Sequence, residues 1–322
     1  MNLAMGDGRP AGDPLAALAR MTSIVAATTG IDDLVDAVLC GLDEEFGFPC
    51  CLLLLHDDVT NTLFTIGSHG YSMQGIGSEV ALGVGIIGMA AASREAVRAA
   101  NLKRMLTYAR TVRRTTEEHG VSDLVPEIPL PGLAEPHSQM AVPILSGGVL
   151  IGVIAVESAA PIRGYDDTDE NVLKIVTDLA GKALVAERAL SGELDSDDEV
   201  AVTSVAVARP DTTSGHRCLV RHFAADGSTF VDHGYIIRGV AGRLLWKLAR
   251  EYVDAGRTEF TNREARLDPD LQLPEYRDNF ESRLVLLKRR LDERGAALRI
   301  VSTTRGRFRL DVDRPLDLER VG

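Results

Sequence analysis

The chain has 322 residues, 45% apolar and 25% charged, with a formal net charge of −12. That composition is ordinary for a globular protein and the length suits two domains. Its apolar runs, such as Val149–Val156, fall far short of the roughly 20 residues of a membrane span, so a membrane partner is not expected.

Charge is unevenly divided. Residues 1–215 carry 14 basic and 30 acidic side chains, a net −16, and residues 216–322 carry 21 and 17, a net +4. An acidic module is therefore expected to precede a mildly basic one with a different partner. Cys40, Cys50, Cys51 and Cys218 have no framework spacing and fit a reducing compartment. The opening MNLAMGDGRPAGDP lacks the basic and apolar segments of a signal peptide, and the expected location is cytoplasmic.

Residues 1–13 read as a disordered leader. Leu15–Thr28 has helical spacing (Leu15, Leu18, Met21, Val25), and Leu34–Phe46 repeats it. Asp32 and Asp33 stand where they can cap the second helix. Two strands follow, within 48–58 and 62–71. Next comes the Gly-rich stretch Gly83–Gly88, a literal GxGxxG. It lies outside any parallel βαβ unit, so a structural turn is the better reading than a dinucleotide site. Residues 101–136 form a long connection that is expected to act as a lid, with a surface insertion as the alternative. Met140–Leu145 and Val149–Val156 flank Ser146-Gly147-Gly148, the signal of an antiparallel hairpin. Both runs are free of charge until Glu157, which places the hairpin centrally in a sheet. Pro143 breaks the pattern and is expected at a bulge or bend. Asp166–Ala189 is a long helix with an acidic first turn, in which Ile175, Leu179 and Leu184 mark one face.

The run AVPIL, a Gly turn, LIGVIAVES and an acidic helix together resemble the end of a GAF domain. The resemblance reaches back through FPCCLLLLHDD, TLFTIGSHGY and VALGVGIIGMAAASREAV, and covers residues 14–190. It implies an antiparallel sheet flanked by helices, a small-molecule sensing role and dimerisation through the terminal helices. The ligand pocket it implies is closed by the 101–136 lid and lined by His69, Tyr71, Tyr108, His119 and His137. No particular ligand or cofactor is indicated.

Residues 191–215 read as linker. Beyond them, Arg217–Phe223 and Phe230–Ile237 form an alternating pair of runs, and Val240–Asp254 a helix. Thr261-Asn262-Arg263-Glu264 has capping-box spacing. A helix over 275–294 carries Phe280, Leu284, Leu287 and Leu291 as its core stripe. Leu298–Thr303 and Phe308–Val312 flank a basic turn. NFESRLVLLKRRL followed by IVSTTRGRFRL resembles the recognition helix and wing of the response-regulator (OmpR-type) winged-helix family, over about residues 217–312 of a domain expected at 216–322. The resemblance implies DNA binding through Asn279, Ser282, Arg283, Arg289, Arg290, Arg305 and Arg307. Two departures stand out: Val285 and Leu286 occupy positions where that family often has arginine, and the wing is one residue short.

The fold expected is thus α+β in two domains, a GAF-like sensor and a winged helix. The function expected is a dimeric, ligand-responsive transcriptional regulator whose partners are DNA, a small molecule and a second copy. A scaffold whose winged helix binds protein is the main alternative, and redox sensing through Cys50 and Cys51 a lesser one. The vicinal pair would be strained as a disulfide, since neighbouring strand residues face opposite ways. A free methionine sulfoxide reductase activity, known among GAF proteins, would need a thiol near the lid. No cysteine lies between Cys51 and Cys218, so an enzyme is not expected. His56-Asp57-Asp58 reads as a solvated turn, and Trp246, opposite the core stripe of its helix, either as a residue placed to pack against the other domain or equally as a bystander.

Overall fold

A computed structural model describes residues 13–100, 127–160, 164–197, 217–273 and 280–322, with 191–197 given by backbone alone. The chain divides into two compact units, Met1–Val185 and Ala186–Gly322.

The first unit opens with helices α1 (Pro14–Ala26) and α2 (Ile31–Phe46). Ala17, Met21 and Val25 of α1 are buried. Gly41 on α2 permits a close approach, since a Cβ there would lie 2.6 Å from the Met21 sulfur. Contrary to expectation, no side chain caps α2: its N-cap is Gly30 at φ 94°, and Asp32 and Asp33 sit in the first turn. There they favour the positive end of the helix dipole.

Six strands follow: β1 (Cys50–Asp57), β2 (Thr62–His69), β3 (Glu79–Ala81), β4 (Val97–Ala100), β5 (Ser138–Ser146) and β6 (Val149–Ser158). They form one antiparallel sheet in the order β3-β2-β1-β6-β5-β4. The β5–β6 hairpin is central, as the charge-free runs require, and Val153, Ile154, Ala155 and Val156 are fully buried. Each such valine or isoleucine contributes about 1.5–3 kcal/mol relative to its exposed form. Pro143 lies beyond the last β4 pair, Val97–Ala141, and next to the register shift at Ile144/Leu145. Its missing N–H therefore falls where the ladder is already interrupted.

Helix α3 (Gly85–Ser93) grows out of the Gly-rich stretch. Gly88 is required structurally: its amide donates to Val84 O, its carbonyl accepts from Gly83 N, and a Cβ would lie 2.3 Å from Ala81 O. The GxGxxG is thus a packed turn.

The last helix, α4 (Asp167–Asp197), runs eight residues beyond the expected Ala189. Its buried stripe is Val172, Leu173, Val176, Ala180 and Leu184, whereas Ile175 is 49% exposed. Ile175 and Leu184 therefore lie on different faces, because a nine-residue separation turns a helix through about half a revolution. Helix α2 packs on β1 and β2 at the face of Cys51, and α1 packs on α2. Helix α3 covers the other face, with Leu52, Leu54, Ala141, Val153 and Ala155. The expected turn at His56 begins inside β1: Asp57 is buried and accepts from Val59 N at 3.0 Å.

In the second unit, β7 (Cys218–Phe223), β8 (Thr229–Val231), β9 (Gly234–Ile237) and β13 (Leu316–Val321) form a sheet ordered β13-β7-β8-β9, with β13 parallel to β7. The run Phe230–Ile237, expected as one strand, breaks at Asp232 and His233, both with positive φ. A tight turn there yields two short strands. Helices α5 (Gly239–Ala255), α6 (Asn262–Arg266) and α7 (Phe280–Glu293) accompany a second sheet, ordered β10-β12-β11, of β10 (Glu259–Thr261), β11 (Leu298–Thr304) and β12 (Arg307–Val312). The expected cap is present: Thr261 Oγ1 accepts from Glu264 N at 3.2 Å. Trp246 stacks on His222 within its own unit, ring centroids 5.3 Å apart, and this replaces the interdomain role expected for it.

Candidate functional site

At one end of the first sheet, the register brings three polar side chains into a row. Cys50 on β1 pairs with Glu157 on β6, and Glu157 pairs with Gln139 on β5. Alternation along the strands puts this row on the α3 face, one step beyond Leu52, Ala155 and Ala141. Residues 127–136 cross above it. Leu133 N donates to Glu157 Oε2 at 2.8 Å, and Gln139 Nε2 donates to Oε1 at 3.1 Å. A Cβ on Gly132 would lie 3.9 Å from both carboxylate oxygens, so backbone alone roofs them. The crossing segment also interlocks with the β2–β3 loop, where Gly75 has φ 58° and a Cβ would meet Pro131 Cδ at 2.4 Å.

Tyr71 leaves the end of β2 and packs its ring on the same core. Its hydroxyl is buried and completes no hydrogen bond, although it stands close enough to Glu157 to stabilise the carboxylate charge. Burial, then Glu157, pushes the phenol well above its ordinary range. Glu157 is only 6% exposed. Burial raises its pKa, against the lowering effect of Leu133 N–H and Tyr71. Burial and Glu157 also raise the Cys50 thiol, and Cys51 is raised still further, mainly by burial. Neither thiol is thereby activated as a nucleophile. Their Sγ atoms go to different places, Cys50 to Gly70 O and Cys51 to Leu39 O.

Of the expected ligand residues that are described, Tyr71 alone is placed at this cluster. His69 is opposite Cys51 in the register and bonds Asp43 of α2 at 3.0 Å, on the other face. Tyr71 lies past the end of β2, beyond Gly70 at φ 79°, so the rule that puts i and i+2 of a strand on one face does not hold the two together. His137 is half-buried and extends the hairpin, its backbone N–H donating to Ser158 O at 2.7 Å. Tyr108 and His119, with most of the expected lid, lie outside the described residues. Glu157, Gln139 and the Leu133 amide were not anticipated. The available signal was a single acid closing an otherwise apolar central strand. Among the described residues, no group of three or more His, Cys, Asp or Glu side chains could hold a metal ion, and no helix is long and apolar enough to cross a membrane.

Residues 28–185 match the family model of the GAF domain. This segment is a GAF domain. Solved structures similar to the chain include the GAF domain of an Acinetobacter phosphoenolpyruvate-protein phosphotransferase, at 18% identity and TM-score 0.44, covering 55% of this chain and 95% of that one. The free methionine-R-sulfoxide reductase of Neisseria meningitidis, in complex with its substrate, is similar at 22% identity and TM-score 0.43, over 56% and 96% of the two chains. A GAF sensor protein described as putative, from Burkholderia vietnamiensis, follows at 16% and 0.41, over 59% and 99%. No curated protein matches the chain. GAF domains are small-molecule sensing modules, and the row at Glu157 lies within this one.

The second unit rearranges the expected DNA contacts. Arg290 is buried: Nε donates to Ile236 O at 2.9 Å, and Nη1 pairs with Glu293 at 2.7 Å. Ser282 is fully buried, and Arg283 is 8% exposed and close to Arg243. These three residues fall on the inner side of α7, because its buried stripe is wider than the core spacing alone suggested. Arg289 is half-buried. The wing turn is Arg305-Gly306, with Gly306 at φ 76°. Arg305 is exposed there, while Arg307 belongs to β12, opposite Thr261. Asn279 lies outside the described residues.

Proposed function

We propose that this protein is a cytoplasmic small-molecule sensor that binds rather than transforms its ligand, at the Glu157–Tyr71 row of the GAF domain. The observation that carries the reading is a buried carboxylate, roofed by the backbone at Gly132, beside a buried hydroxyl that completes no hydrogen bond. Buried polar groups ordinarily have partners, and one that lacks them in a cleft is a candidate recognition element. A thermal-shift screen of small molecules tests it. Hits should lose their effect on Tyr71→Phe, and equal shifts in both proteins would move the pocket elsewhere.

Transmission to the second unit would run through α4. Arg98 on β4 donates to Tyr165 O at 3.3 Å and pairs with Asp167 and Glu170 at 2.7 and 2.9 Å. Tyr165 also packs on Phe48, with ring centroids 5.8 Å apart, and lies close enough to Tyr71 to affect its ionisation. A ligand at Tyr71 thus has a short route to the first turn of α4. It shifts the helix only as far as its affinity differs between the two arrangements.

For the second unit, the order α5, β10, α6, α7, β11, β12 supports a DNA-binding winged helix. Arg305 at the turn and Arg289 on α7 remain as candidate contacts. Gel shifts of the full chain against a randomised duplex pool test this. Binding that is absent, or that does not weaken as salt rises, would favour a protein partner instead. A second copy is proposed as the partner of the outward stripe on α4, where Ile175 and Leu190 are 49% and 42% exposed. Ile175→Asp should then yield monomers by light scattering, and a variant with unchanged mass would remove the dimer from the proposal.

A further inference from the structure

The charge balance at Glu157 restricts what the GAF site accepts. Three ionisable side chains meet there: the Glu157 carboxyl, the Tyr71 phenol and the Cys50 thiol. Burial keeps the phenol and thiol protonated, so the Glu157 carboxyl is the one of the three that ionises most readily, and burial works against that charge too. Its partners are neutral: the Leu133 amide, the Gln139 amide and the nearby phenol. Among the described residues, no lysine, arginine or histidine bears on it. Neutral hydrogen bonds offset the desolvation penalty of a buried carboxylate only in part. Each oxygen accepts one printed bond and can accept another, since an ionised carboxylate offers about four acceptor positions. A metal ion is poorly served, because the row supplies a single carboxylate and thiol, and no metal-ligating group of three occurs among the described residues.

We propose that the ligand of this site carries a protonated amine, whose N–H groups donate to the Glu157 carboxylate and the Tyr71 hydroxyl. The inference rests on the reading that this row is the binding site, and it adds the chemical class of the ligand. The ammonium stabilises the buried carboxylate charge and donates to Tyr71 Oη, which accepts no hydrogen bond among the described residues, in one step. A neutral ligand brings no charge to offset the burial. An anionic one is repelled by it.

Amide NMR spectra of the full chain, titrated with three probes of similar shape, test the inference: phenethylammonium, neutral 2-phenylethanol and anionic 3-phenylpropanoate. The ammonium probe should move the amide signals of Leu133 and Gln139 saturably at millimolar concentration, and the other two should leave them in place. Glu157→Gln should weaken that probe by at least about tenfold, because one partner of a buried charged contact is removed. Tyr71→Phe, which deletes only the hydroxyl, serves if the first variant does not fold. Equal or stronger response to the neutral or anionic probe overturns the ammonium class and leaves the site standing. If no probe moves Leu133 or Gln139, the site itself is wrong and the inference falls with it.

Discussion

The backbone N–H of Leu133 donates to Glu157 Oε2 at 2.8 Å, across 24 residues of sequence. One side chain at the end of a central strand thereby fastens the segment that roofs it. The contact makes Glu157 a latch, so a ligand that engaged its carboxyl at the proposed site would also bear on the 127–136 segment.

Thiol reactivity should follow burial. Cys40 is exposed, whereas Cys50, Cys51 and Cys218 are buried, and burial lifts Cys218 to about 12. Iodoacetamide at mildly alkaline pH should therefore modify Cys40 first, with the other three reacting only after unfolding, as read by peptide mass spectrometry. A Cys50–Cys51 disulfide in protein isolated without reductant would revive the redox reading, which their opposite orientations oppose.

Gly152 is fixed by the β1–β6 ladder. A Cβ there would lie 2.1 Å from Leu54 O, and neither backbone can yield without breaking the central pairing. Gly152→Ala should destabilise by about 1–3 kcal/mol or more in urea unfolding. Gly164, with nothing within 4 Å of its Cβ position, is the control. Its Ala variant should stay within about 0.5 kcal/mol of the parent.

His222 should make the second unit acid-sensitive. The ring is buried against Trp246 and bonds Thr229 Oγ1 at 2.8 Å. Burial first, then Arg320 and Arg243, lowers its pKa from 6.5 to about 4. A depressed folded-state pKa means the unfolded chain takes up the proton more readily. Stability from this group is therefore complete above pH 6.5 and is lost as pH falls toward about 4. The melting temperature should drop across that window, less steeply in His222→Gln. Parallel slopes in the two proteins would assign the acid sensitivity to other groups.

Arg290 and Arg305 should separate structure from binding. Arg290→Lys cannot reproduce the bonds to Ile236 O and Glu293 and should cost about 1–3 kcal/mol of stability. Arg305→Ala should hardly change the melting temperature, since exposed arginines contribute little. If the second unit binds DNA, that substitution should weaken all sequences alike and reduce the salt slope by about one unit. A sequence-selective loss from Arg305→Ala would instead make it a base reader.

Local pattern carried much of the fold. Alternating β-branched runs around Gly147-Gly148 announced the central hairpin, helical spacing announced α1, α2 and α5, and Thr261 with Glu264 announced the start of α6. These depend on interactions within a few residues, which a sequence displays directly. The parallel strand β13 was not legible, because its partner β7 lies about a hundred residues away and nothing local marks the pairing. Which face a side chain takes was harder still. His69 and Tyr71 are two residues apart and were expected together, yet strand register sent His69 to Asp43 of α2, while Tyr71, just past the strand end, joined the opposite face. Arg283 and Arg290 look like surface charges in sequence and become buried only because α7 packs on more than its leucine stripe. The sequence determined which segments become strands and helices, since backbone preference and hydrophobic period act locally. Only the tertiary structure decided that Cys50, Gln139, Tyr71, Leu133 and Glu157 share one site, because cross-strand register and the return of the 127–136 segment bring together residues that lie far apart along the chain.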